Sequence, residues 1–129
     1  SSDLTLQALD LRAGYSDAYS LLSEVYVKQQ KYADAIAALD NALENTRYRR
    51  ERFYVKRAAV HMTTGKPKLA LNDYISARED NPENAVAWLG EFEAALALDN
   101  RQVAGVALDE FVKLRPNDER IKTMRDKLE

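Results

Sequence analysis

Apolar residues recur along this chain at helical spacing, in short segments separated by polar or turn-forming breaks. Residues 1–13 carry Leu4, Ala8, Leu9 and Leu11 on one face, with Ser2 or Asp3 as the N-cap. Gly14 is expected to end that helix, because glycine enters the left-handed conformation cheaply. Ser16 or Asp17 then begins a second helix, 17–29, with Tyr19, Leu22, Val25 and Tyr26 on its apolar face. Gln30-Lys31 makes a turn into 32–45, where Tyr32, Ala35, Ile36, Leu39, Ala42 and Leu43 share a face. The same plan follows twice more: 50–63, turn 64–66 and 67–79, then 84–97, turn 99–101 and 102–114. Pro67 suits the first position of its helix, and Pro82 and Pro116 close two others. A last helix, 118–128, places Ile121, Met124 and Leu128 on one side, the profile of a cap.

These segments are copies of one another. Tyr19, Tyr54 and Trp88 form one column, Ala35, Ala70 and Ala104 a second, and Leu39, Tyr74 and Leu108 a third. All three columns share one pair of intervals: 35 residues, then 34. The simplest account is a repeat of 34 residues with one extra residue between the first two copies, and a fixed period of this length marks a solenoid of helical hairpins. Alanine in the second column leaves room for the two helices of a hairpin to cross closely, and the large first-column residue fills the space beside it. The expected organisation is one domain, 1–129. It has a partial-repeat helix at 1–13, repeats at 16–49, 51–84 and 85–118, and a cap at 118–129. In the repeat register Ala8-Leu9 corresponds to Ala42-Leu43, so the chain is expected to begin inside a longer array.

The columns resemble the tetratricopeptide repeat (TPR) over about 16–118. The first copy matches the family pattern with Tyr19, Leu22, Ser23, Tyr26, Tyr32, Ala35, Leu39 and Ala42. The second matches with Tyr54, Ala58, Gly65, Ala70, Tyr74, Ala77 and Pro82, but holds Arg57 where leucine is usual and His61 where tyrosine is usual. The third matches with Trp88, Ala104, Leu108 and Pro116, but carries Phe92 and Phe111 at positions where small residues are expected. The resemblance implies an all-α, right-handed TPR-like solenoid whose first helices line a groove for a peptide or protein segment. It places Ser20, Glu24 and Lys28 of the first copy in that groove. The second copy supplies Arg52, Val55, Lys56, Ala59 and Met62, and the third Val86, Leu89, Gly90 and Glu93. Gly90 is expected to leave space for a ligand backbone. TPR domains that clamp the C-terminal carboxylate of chaperones use lysine, asparagine and arginine at five groove positions. Those positions here hold Ser20, Glu24, Lys56, Val86 and Gly90, so the resemblance does not extend to that clamp.

Composition narrows the functional classes. Hydrophobic content of 46% and charged content of 31% fit a folded, soluble domain, compatible with a cytoplasmic or a periplasmic setting. A net charge of −2 gives no global case for nucleic acid. With no cysteine and one histidine, thiolate chemistry is excluded and His61 cannot by itself build a zinc site. Its inward repeat position makes it a core histidine. Thr64-Gly65-Lys66 resembles a fragment of a phosphate loop, but lacks the upstream glycine, and Pro67 stands where serine or threonine is needed. The expectation is therefore no enzyme, no cofactor and no metal. Charge is concentrated in 47–57, where Arg47, Arg49, Arg50, Arg52, Lys56 and Arg57 accompany only Glu51, leaving the remainder at −7. This stretch admits an acidic partner segment or a polyanion, with Arg52 and Lys56 as the groove cations. The principal expectation is a protein-binding scaffold, a piece of a larger protein or assembly. The alternatives are a structural spacer that self-associates through its open N-terminal end, as in bacterial envelope or export machines, and a polyanion binder through 47–57.

Overall fold

A computed structural model describes the backbone of residues 2–129 and the side chains of Leu11 and of residues 14–129. The elements are α1 (Ser2–Lys28), α2 (Tyr32–Asn45), α3 (Glu51–Thr63), α4 (Pro67–Asp80), α5 (Ala85–Ala97), α6 (Arg101–Leu114) and α7 (Ile121–Leu128). No strand occurs among the described residues. The helices pack as consecutive pairs, α1 on α2, α3 on α4 and α5 on α6. Each pair leans on the next through α2–α3 and α4–α5, and α7 covers α6. The result is an all-α solenoid of stacked helical pairs.

Three short turns make the pairs equivalent. Gln30, Gly65 and Asp99 all lie in the left-handed region, with φ of 59°, 74° and 55°. They are spaced 35 and 34 residues apart, like the columns. After each, one amide reaches back five residues: Lys31 to Tyr26, Lys66 to His61 and Asn100 to Ala95, all at 2.8 Å. This closes the carbonyls left free at a helix end. The next helix then starts, and Ala35, Ala70 and Ala104 each fall at its fourth residue, fully buried. The three alanines occupy one spot in three successive pairs.

The structure departs from expectation at both ends. α1 runs unbroken through Gly14, so no helix ends there and neither Ser16 nor Asp17 starts one. No proline follows Gly14, and the helix-interior penalty of one glycine, about 1 kcal/mol, is too small to break a segment flanked by helix formers. Ser16, fully buried, instead donates from Oγ to the Ala42 carbonyl at 3.0 Å and ties α1 to α2. The equivalence of Ala8-Leu9 with Ala42-Leu43, and the face formed by Leu4, lie outside the described residues. The last helix begins at Ile121, not 118. Asp118 accepts from the Arg120 amide at 2.9 Å and pairs with its guanidinium, forming the turn ahead of the helix.

Packing explains the departures from the repeat pattern. Phe92 and Phe111 are almost wholly buried, in one cluster with Trp88, Leu108, Ile121 and Met124. Their bulk fills the space that α7 encloses. Gly90 is buried beneath the Tyr74 ring, and a Cβ on Gly90 would overlap Tyr74 Cε1. The gap left by the missing side chain is therefore filled from within, not held open for a ligand backbone. Burial in this contact pushes the Tyr74 phenol up to about 12. Arg57, in place of the usual leucine, joins three helices. Its Nε and Nη2 donate to the two Asp73 carboxylate oxygens on α4, both at 2.8 Å, and Nη1 donates to Asp40 on α2, also at 2.8 Å. His61 Nε2 stands 3.8 Å from the same Asp73, and burial lowers the imidazole pKa from its ordinary value. One copy further on, at the position equivalent to Arg57, buried Glu91 pairs with Arg78 at 3.0 Å, and the Arg78 guanidinium lies over Trp88.

Three outcomes are expected in thermal or urea unfolding. Gln30→Gly stabilises by about 0.5–1 kcal/mol, because it removes left-handed strain, whereas Gly65→Ala destabilises by about 1 kcal/mol. Gly90→Ala destabilises by about 1–3 kcal/mol through overpacking, and Tyr74→Leu restores most of that loss in the double variant. Arg57→Leu costs about 2–4 kcal/mol by stranding Asp73, and adding Asp73→Leu returns a substantial part of it.

Candidate peptide-binding groove

The first helices of the pairs, α1, α3 and α5, stand side by side. α3 packs directly on α5, whereas α1 and α3 are joined through long side chains. Arg52 Nη1 reaches Asp17 at 2.8 Å. Lys56 Nζ donates to Ser20 Oγ and, at 2.8 Å, to Glu24. The Lys56 hydrogen bond holds the Glu24 carboxyl below its usual range. The separation leaves a cavity of about 350 Å³ between α1, α2 and α3. Its walls include Val27, Tyr32, Leu39, Ala59 and Val60, with Glu24, Lys28 and Lys56 also lining it.

Of the expected groove residues, Glu24, Lys28, Lys56 and Ala59 line this cavity. Ser20 is buried beside it as the partner of Lys56. Arg52 is held against α1 by Asp17 and lies over the Phe53 ring. Val55 and Met62 pack against Ala58, Ala70 and Tyr74, and Leu89 packs on the third-pair core. Those three are partly core rather than open lining. Val86 and Glu93 are exposed on α5, away from the cavity. Gly90 is covered by Tyr74.

Sequence reasoning missed Ser23, Val27, Tyr32, Leu39, Val60 and Thr63 as cavity lining. Leu39 and Val60 are buried, so periodicity assigns them to the core. The available signal was the extra residue between the first two copies. The α2–α3 connection, residues 46–50, is one residue longer than the α4–α5 connection, residues 81–84. Arg49 absorbs the excess with φ of 52°.

The basic stretch is largely engaged from within. Arg52, Lys56 and Arg57 form the ion pairs above, while Arg50 stacks on Tyr54 and donates to the Leu43 carbonyl at 3.2 Å. Arg47 and Arg49 are exposed in the connection. Among the described residues no group of three or more His, Cys, Asp or Glu side chains is placed to hold a metal ion. No described helix is long and apolar enough to cross a membrane.

No family model matches the chain, and no curated protein matches it. Solved structures do. The first TPR domain of Spaghetti (RPAP3) bound to the HSP90 peptide SRMEEVD superposes with a TM-score of 0.83 at 20% identity, over 90% of this chain and 91% of that one. The Arabidopsis OM64 TPR domain gives 0.83 at 18% identity, over 91% and 96%. A tetratricopeptide repeat protein from Parabacteroides merdae gives 0.81 at 21% identity, over 88% of this chain and 44% of that one. The repeated helical pairs, the equivalent buried alanines and these superpositions agree: the chain has the tetratricopeptide-repeat fold.

Proposed function

We propose that this chain is a non-enzymatic scaffold that holds a protein or peptide segment along α1, α3 and α5. One bulky apolar side chain of that segment seats in the cavity between α1, α2 and α3. The observation that carries the reading is the cavity itself. Its volume of about 350 Å³ lies within the range of sites that enclose a side chain or small ligand. Its walls are mainly apolar, which favours burial of an apolar group, at about 25 cal/mol per Å² removed from water. In this reading the repeat units are 16–49, 51–84 and 85–118, with 118–129 as the cap.

Neighbours of the same fold support a peptide as the occupant, since structures of RPAP3 and Sti1 TPR domains are described with HSP90 or HSP70 peptides. The chemistry of the groove differs from a carboxylate clamp. Lys56 is held by Glu24 and Ser20, Gly90 is under Tyr74, and Val86 is apolar. An apolar anchor therefore fits better than an acidic terminus. The internal pairing of Arg52 and Lys56 likewise weighs against an acidic segment or polyanion as the main ligand, because each salt bridge would have to be exchanged for another.

Selection from a random peptide library displayed on phage tests this. Retained peptides are expected to share one large aliphatic or aromatic residue. Ala59→Trp, which fills the cavity from its exposed wall, is expected to weaken the best peptide at least tenfold. Val106→Trp, at an exposed position on α6 away from α1, α3 and α5, is expected to leave affinity within twofold. Failure to retain any peptide, or equal affinity for the Ala59→Trp variant, removes the reading.

A further inference from the structure

Gly90 stands at a position whose counterparts face the groove. By the repeat intervals it matches Lys56 on α3, which lines the cavity, and Leu21 on α1, which is 63% exposed. At Gly90 the missing side chain is supplied by another helix. A Cβ there would overlap Cζ, Cε1 and Cδ1 of Tyr74, so the far end of that ring occupies the place where an α5 side chain would begin. Tyr74 is rooted on α4, one of the second helices, and Cζ is the ring atom furthest from that root. The hydroxyl on Cζ is therefore carried forward, toward the groove. It makes no hydrogen bond to a described residue. Among the described residues the one side-chain polar atom buried without a partner is Arg50 Nε, so the Tyr74 hydroxyl is in contact with solvent.

A carboxylate stands beside it. Glu93 lies one repeat interval after Ala59 and two after Glu24, both of which line the cavity. Burial and, after it, the Glu93 charge push the Tyr74 phenol up to about 12, so the hydroxyl keeps its proton. Glu93 is exposed and joins none of the ion pairs among the described residues. Arg120, within range of its charge, gives Nε and Nη2 to Asp118 at 3.0 and 2.9 Å. Elsewhere in the groove, Arg52 and Lys56 are matched by Asp17 and Glu24. Lys28, on the cavity wall, joins no ion pair among the described residues either. The groove is thus polarised, positive at Lys28 on α1 and negative at Glu93 on α5.

We infer that Tyr74 and Glu93 form a second contact point in the groove, a hydroxyl and a carboxylate that take a lysine or arginine side chain of the bound segment. The inference rests on the proposed groove reading and adds the chemistry of the segment: an apolar anchor for the cavity and a cation for α5. An ammonium or guanidinium can donate to both oxygens at once, and a charged donor makes each bond stronger than a neutral one. Lys28 repels a cation at the α1 end, which fixes the direction in which the charge lies from the anchor. Packed helices stand about 10 Å apart and an extended chain covers about 3.4 Å per residue, so anchor and cation are separated by about three to five residues.

The peptides retained from the phage library read the first half of the test. They are expected to carry lysine or arginine at that spacing from the anchor, well above its frequency in the unselected pool. The second half uses the best such peptide, made synthetically. Glu93→Lys is expected to weaken it at least tenfold, and Tyr74→Phe, which keeps the ring and the melting temperature, at least threefold. Asp109→Lys, the same charge change at an exposed position on α6, is expected to leave affinity within twofold. A peptide with its basic residue exchanged for glutamate is expected to bind the unaltered chain at least tenfold more weakly and to recover on Glu93→Lys. Retained peptides with the anchor but no excess of basic residues overturn the inference, as does equal affinity for Glu93→Lys or Tyr74→Phe. A Glu93→Lys loss that the exchanged peptide does not recover also overturns it. In each of these cases the cavity reading stands while Ala59→Trp still weakens binding; retention of no peptide removes both.

Discussion

Everything in this molecule follows from how closely two helices can cross at a buried alanine. Ala35, Ala70 and Ala104 stand one turn into the second helix of each pair, where any larger side chain would hold the helices apart. Close crossing in turn demands an abrupt reversal of the chain. The three turns meet that demand with one residue of left-handed backbone and one amide reaching back five residues. The backbone solution is conserved across the pairs even though the side chains differ. Only Gly65 is free of steric penalty there, and Gln30 and Asp99 adopt the same conformation because the packed helices on either side impose it. Tertiary packing, not local preference, sets the turn.

The pattern of the repeat was legible in the sequence because burial recurs at fixed intervals, and three columns moving together fix the register. Helix pairs, turns and the cap followed from that register. Gly14 was misread because a lone glycine is weighed locally as a helix end, whereas its actual penalty is small against continued helix on both sides. Gly90 was misread for a related reason: a missing side chain looks like room, and only the packed structure shows that Tyr74 fills it. The groove was partly legible. Of the residues expected in a groove, Glu24, Lys28, Lys56 and Ala59 line the cavity, while Leu39 and Val60 carry the same periodic signature whether they face a neighbour or a void. A side chain's position in a repeat says which way it points, not whether anything stands opposite it.

Charge couples the pairs where the repeat pattern lapses. Arg57 replaces an apolar residue, and its partners Asp40 and Asp73 come from the second helices of two different pairs. Asp73 is buried, so this is a committed interaction: either partner without the other leaves a desolvated charge. Arg78 and Glu91 repeat the device at the next junction with the signs exchanged. Between α1 and α3 the pairs Asp17–Arg52 and Glu24–Lys56 are more exposed and weaker. The stiffness of the array is therefore graded. The junction of the second and third pairs is tied by a buried salt bridge and by Tyr74 seated on Gly90, and the junction of the first and second is looser.

That gradation bears on where a partner can bind. A cavity survives in a close-packed protein only where neighbouring elements are prevented from collapsing into it. Here the five-residue connection 46–50, with Arg49 in left-handed backbone, sets α3 one residue differently from α5, and long salt-bridged side chains span the interval from α1. The surface ion pairs act as struts across the opening. They can rearrange at little free-energy cost, because their partners remain solvated in either arrangement. In the proposed reading, the same weakness that makes the first junction a poor source of stability lets the cavity beside it admit a side chain without unpacking a core.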